Sequence, residues 1–151
     1  LQVHSYIGDM MTKEAPDELE NFHLEPFEMK VQGLDRTLVD KVFAICDYYM
    51  QDRVKKHSRH IYDIYKLLQI VPQTEEFRAL IQEVRSVRAM TNICPSAQPE
   101  VNVPEMLNFL IENEIYKDDY EKITARILEE DVNYETAIEA VKKIAASGMF
   151  E

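Results

Sequence analysis

The sequence predicts an α+β fold that is mostly α: short N-terminal strands followed by a bundle of about six helices. Three observations lead there. Residues 2–7 and 27–31 alternate apolar and polar side chains with a period of two, the signature of half-buried strands. From Arg36 onward the apolar residues recur at intervals of three and four, the period of an amphipathic helix. Only three glycines occur in 151 residues, and 46% are hydrophobic, as in a helix-rich chain with a sizeable core.

The elements follow in order. Val3, Ser5 and Ile7 alternate with Gln2, His4 and Tyr6, which predicts a strand ended by Gly8 and Asp9. Asp9 to Pro26 is acidic and irregular, with a helical turn near Met10–Thr12. Phe27, Met29 and Val31 alternate with Glu28, Lys30 and Gln32, a second strand closed by Gly33. Two strands are marginal in water, so residues 1–35 read as part of a sheet whose other strands lie elsewhere. The chain opens on Leu1 rather than Met, and is read as a piece of a longer protein.

Residues 36–151 read as one helical domain. Thr37 is placed to cap its first helix, with Asp40 three residues on completing a capping box. Leu38, Val42, Ile45 and Tyr49 form the buried stripe, with Lys41 beside it. Gln51–His57 is a link carrying Arg53, Lys55 and Lys56. Ser58 suits the N-cap of a second helix, whose Ile61, Ile64, Tyr65 and Leu68 face the core. Pro72 ends it. Thr74 caps a third helix with a stripe of Phe77, Leu80, Ile81, Val84, Val87 and Met90. Its Arg78, Arg85 and Arg88 are available to phosphates or acidic partners. Pro104 suits the first turn of a fourth helix, residues 117–128 form a fifth, and Asn133 caps a sixth with Gly148 just past its end.

Charge is unevenly spread. Residues 1–29 carry net −6, residues 30–90 net +3, and residues 91–151 net −8. The positive third reads either as a solvated surface, the commoner meaning of a charge run, or as local steering of a phosphate-bearing ligand, while the net charge of −11 argues against a broad duplex-binding face. No apolar run is long enough to span a membrane. Two cysteines, Cys46 and Cys94, are too few for a disulfide framework, which points to a reducing cytoplasm. Cys46 reads as a buried, inert thiol. His57, His60 and Asp63 are spaced i, i+3 and i+6, but His57 falls in the link rather than on the helix, so no metal site is assigned to them.

Two short motifs stand out. Thr37, Asp40 and Lys41 sit on one helix, and Arg59, His60, Asp63 and Ile64 on the next. Their order and spacing resemble the C-terminal half of AbiEii-type nucleotidyltransferases, toxins of bacterial toxin–antitoxin and phage abortive-infection systems. In that family a Thr–x–x–Glu–Lys helix precedes Arg–Asp–x–x–Asp–Leu by some twenty residues. Here Asp40 replaces the Glu, and His60 replaces the first Asp. The family's functional Lys and second Asp fall on Lys41 and Asp63, which the resemblance makes the catalytic pair. Arg59, Arg36 and Thr37 become substrate contacts.

The resemblance implies transfer of a nucleotide from an NTP, with Mg²⁺, to RNA or another acceptor, and a cognate antitoxin as partner. Lys41 would contact triphosphate oxygens as a point charge. Asp63 would orient that lysine, accept a proton or contact the acceptor. The family's Gly–Ser phosphate motif and early-strand carboxylates do not occur, the nearest being the reversed Ser147–Gly148. The expectation is therefore a portion that is inactive alone and holds neither Mg²⁺ nor NTP stably. The alternative is a non-catalytic helical module whose acidic C-terminal third binds an antitoxin or other basic partner. For the catalytic reading, Lys41 and Asp63 are expected to open on one cleft with Arg59 at its edge. In a plain antiparallel hairpin they would lie roughly 7–8 Å apart along the axis, so direct contact would require the helices to cross.

Overall fold

A computed structural model describes all residues, 1–151. The chain divides into two units, Leu1–Gln32 and Gly33–Glu151. It contains seven α-helices and one two-stranded antiparallel sheet, which makes it α+β and mostly α. No helix is long and apolar enough to cross a membrane.

In the first unit, β1 (Gln2–Val3) pairs with β2 (Phe27–Glu28), with Gln2 opposite Glu28 and Val3 opposite Phe27. Both strands are shorter than their alternation suggests. Helix α1 (Tyr6–Glu14) replaces the second half of the first expected strand. The reason is local: the Ser5 hydroxyl accepts the Gly8 N–H at 2.9 Å, so this residue caps a helix rather than extending a strand. Gly8, expected to end the strand, is buried inside the helix. A Cβ there would lie 2.7 Å from the Leu24 carbonyl oxygen, so the close approach needs glycine.

The second unit is built around α2 (Leu34–Met50). It packs against α3 (Arg59–Leu68), α4 (Glu75–Ala89) and α5 (Val103–Glu112). The expected stripe of Leu38, Val42 and Ile45 is fully buried, but so are Val39, Phe43 and Cys46. A helix covered on several sides buries more than one stripe. Each such side chain contributes roughly 1.5–3 kcal/mol through apolar area removed from water. Burial also pushes the Cys46 thiol far up, with the neighbouring Asp47 adding to the effect, so it is inert as a nucleophile.

Helix α6 (Lys117–Lys122) is shorter than the fifth helix the sequence predicts. It breaks at Ile123 into a 3₁₀ turn, Thr124–Arg126. Helix α7 (Tyr134–Ala146) packs on α3 and α5, capped by Asn133, whose side chain accepts the Thr136 N–H. Gly148 follows its end with φ +68°, the left-handed conformation that glycine adopts without strain. Thr74 caps α4 through the Phe77 N–H. On α4 the predicted stripe stops early, since Val87 and Met90 are exposed.

The α4 arginines are not available to a ligand, contrary to expectation. Arg78 donates to the Gly148 carbonyl at 2.7 Å. Arg85 donates to the carbonyls of Ala97, Gln98 and Val101, holding the loop before α5. Arg88 spans α4 and α2, donating to Asp40 and Asp47, both at 2.9 Å. The other oxygen of the buried Asp47 accepts the Ser96 N–H and hydroxyl at 2.8 and 2.7 Å. Asp47→Ala removes the partner of a largely buried guanidinium and of the Ser96 backbone. It is expected to lower unfolding free energy by about 3–5 kcal/mol in urea titration; a loss below about 1 kcal/mol would show the network to be a surface feature.

Candidate functional site

Lys41 stands one turn past Thr37 on α2, and Asp63 in the second turn of α3. The two helices bring Lys41 Nζ to 2.7 Å from Asp63 Oδ2. The hairpin estimate of separation therefore overstates their distance, and the two residues pair directly. The Lys41 and Asp63 side chains are 24% and 32% exposed, so the pair is open to solvent rather than sealed in the core.

The sequence reading missed a third member. His60 is buried on α3, with Nδ1 3.2 Å from Lys41 Nζ and 3.4 Å from Asp63 Oδ2. Its position is the one where this chain departs from the resembling motif. The signal was available: His60 and Asp63 are three residues apart and so share a helix face. With Lys41 donating, Nδ1 is the imidazole's acceptor and Nε2 carries the hydrogen. An ammonium has three N–H bonds. Asp63 and His60 engage two of them, and the third is available to an incoming oxygen. The His60 ring is held parallel to Tyr48, at 5.6 Å between centroids and 2° between planes.

Burial pushes the Asp63 carboxyl upward, but the contacts with His60 and Lys41, together with the Lys41 charge, outweigh it. The carboxyl lies below its ordinary range. Asp63 is therefore ionised at neutral pH and meets Lys41 as a carboxylate.

The remaining sequence-predicted residues are placed differently. Arg59 is exposed and pairs with no carboxylate; the i,i+4 pair with Asp63 gives way to the interhelical one. Arg36 Nε lies 3.3 Å from Asp40 Oδ2, on the carboxylate that Arg88 also holds. Thr37 is not an N-cap. Helix α2 starts earlier, at Leu34, and the Thr37 hydroxyl donates to the Gly33 carbonyl at 2.8 Å within the first turn. The expected capping box is thus replaced by Arg36 and Arg88 on Asp40.

The link before α3 is tied down by Asp119 of α6, which accepts the N–H of Lys56 at 2.8 Å and of Ser58 at 3.2 Å. These bonds hold Lys56 at φ +68°, a left-handed conformation uncommon for a residue with a side chain. The Ser58 hydroxyl does not cap α3; it is buried against Thr124 Oγ1 at 2.7 Å.

No group of three or more His, Cys, Asp or Glu side chains converges to hold a metal ion.

Asp63 supplies a test of this geometry. Its folded-state pKa is depressed, so its ion pair stabilises the fold above the unfolded-state pKa, near 4, and that contribution is lost as pH falls through the folded value. Asp63→Asn is expected to melt below the parent protein at pH 7. The gap should narrow as the pH of the melts is lowered below about 4. A gap of constant size across that range would contradict the ion pair.

No curated protein and no solved structure matches the chain. A family model described as nucleotidyl transferase AbiEii toxin, type IV TA system, matches residues 3–144, nearly the whole length. A toxin of such a system has an antitoxin as its counterpart. The chain belongs to the AbiEii nucleotidyl transferase toxin family of type IV toxin–antitoxin systems.

Proposed function

We propose that Lys41, Asp63 and His60 form the triphosphate grip of a nucleotidyltransferase that acts in the cytoplasm on RNA. The observation that carries this reading is the 2.7 Å Lys41–Asp63 contact, joining the two positions where the family's functional Lys and Asp fall. An acceptor hydroxyl attacks the α-phosphorus of an NTP. The new O–P bond forms as the bond to pyrophosphate breaks, and the hydroxyl proton passes to solvent. Lys41 directs its third N–H toward the triphosphate oxygens, where negative charge builds as pyrophosphate leaves. Asp63 and His60 fix the ammonium in place beforehand, so little reorganisation is needed at the moment of reaction. Arg59, exposed one turn before Asp63, is positioned for a phosphate rather than for its neighbour on the helix.

A second reading rests on a separate feature. Tyr49, Met106 and Phe109 line a hollow of about 480 Å³ rimmed by Glu100 and Glu105. Its apolar floor and acidic rim suit a basic partner such as an antitoxin segment, and would give the chain a binding role without catalysis.

Transfer of labelled NTP to RNA by the intact protein separates the two. Lys41→Met keeps the apolar stem and removes the charge. It is expected to lower transfer by about 10²-fold or more, the scale of a lost transition-state contact, while the melting temperature changes little. A Lys41→Met protein that melts normally and transfers at the parent rate would overturn the catalytic assignment.

A further inference from the structure

Four cations, Arg53, Lys55, Lys56 and Arg59, fall within seven residues, in the link between α2 and α3 and at the first position of α3. All four are exposed. None makes an ion pair, in a chain with 28 acidic side chains against 17 basic ones. Elsewhere most basic residues are engaged, among them Lys41 with Asp63, Lys66 with Glu130 and Arg88 with Asp40 and Asp47; Lys13, Lys30, Arg126 and Lys143, which make no ion pair, are scattered singly along the chain rather than clustered. The nearby carboxylate of Asp119 is occupied by the backbone amides of Lys56 and Ser58. Asp52 is the one acid on the rim. Leaving cations unpaired amid surplus acid is what an anion-binding surface requires.

The link also has a hollow and a flat wall. Asp52, Arg53, Val54, Lys55 and His57 enclose about 560 Å³, the scale of a small-ligand site. The His57 ring stacks on Tyr48 at 3.6 Å and 13°, and the Arg53 guanidinium lies 5.7 Å from the same tyrosine ring. Burial, then His60 and Arg53 nearby, lower the His57 pKa, so this wall is a neutral imidazole plane beside the Arg53 and Lys55 cations. Tyr48 connects the wall to the site: its ring is parallel to His60, which touches Lys41.

The geometry points to the link as the binding site for a single-stranded RNA terminus, with phosphates on Arg53 and Lys55 and a base against the His57–Tyr48 stack. Sequence-tolerant base stacking combined with a basic groove is how single strands are held. A duplex would need a longer basic face than seven residues, and the surrounding chain, at net −11, repels it. This inference deepens the proposed transfer by giving its acceptor a place beside Lys41. It rests on that reading for the acceptor role, though binding itself does not require turnover.

Fluorescence anisotropy of a dye-labelled single-stranded RNA of about twelve nucleotides with the intact protein tests it. Arg53→Glu with Lys55→Glu is expected to weaken binding tenfold or more and to flatten the salt dependence by about two charges. Arg126→Glu with Lys143→Glu, the same charge change at exposed sites elsewhere, should weaken it less than twofold. His57→Ala should weaken binding without changing the salt slope. Equal losses in both charge variants, absence of binding, or equal competition by a duplex of the same sequence or by polyglutamate would overturn the assignment, the last in favour of an acidic protein partner. Lys41→Met separates the two claims. It should retain RNA binding while losing transfer. RNA bound at the link with no transfer by any variant refutes the catalytic reading alone, and transfer that survives the Arg53/Lys55 change refutes the link site alone.

Discussion

Burial of α2 on several sides is the constraint from which the rest follows. A helix in that position has few directions in which a charge can reach water, and the charged side chains of its covered stretch, Asp40, Lys41 and Asp47, meet partners on neighbouring elements. Asp47 meets Arg88 and Ser96, and Asp40 meets Arg36 and Arg88. Lys41 meets Asp63 and His60 of α3. The first two sets lock α4 and the loop at Ser96 onto α2. The third has the same physical origin, but its members remain partly open to solvent, and its ammonium has an N–H to spare. Packing thus leaves a paired cation at the surface of the helix pair without an added device.

The link between α2 and α3 is shaped by the same arrangement. Asp119 and Thr124 hold it from the α6 side, and Tyr48, His57 and His60 stack across it. The stacking carries rigidity from the link to the imidazole that holds Lys41. An occupant of the link would therefore bear on the same ring that contacts the lysine.

Much of this was legible in the sequence, because it depends on local pattern. The apolar period gave the helices, and Thr74, Asn133 and Gly148 marked termini where they occur. Lys41 and Asp63 were found by motif position. What was not legible depends on distant pairing. Arg88 meets residues 48 and 41 positions away, which no local spacing reveals. The contact of Lys41 with Asp63 depends on how two helices cross, and helix spacing alone put them too far apart. His60 was weighed only as a metal ligand, although its place three residues before Asp63 pointed to a shared face. At the N-terminus six alternating residues looked like a strand, but the Ser5 hydroxyl on the Gly8 amide decides for helix. Alternation over so few residues is weaker than one good cap.

The central claim is that Lys41 and Asp63 act as one unit in nucleotidyl transfer. A double-mutant cycle on transfer rate measures that directly, using Lys41→Met, Asp63→Asn and the two combined. Residues that act together are non-additive, so the account predicts that the double variant is no slower than Lys41→Met alone. Losses that multiply, the double variant falling by the product of the two single effects, would show the residues working independently and would contradict the account.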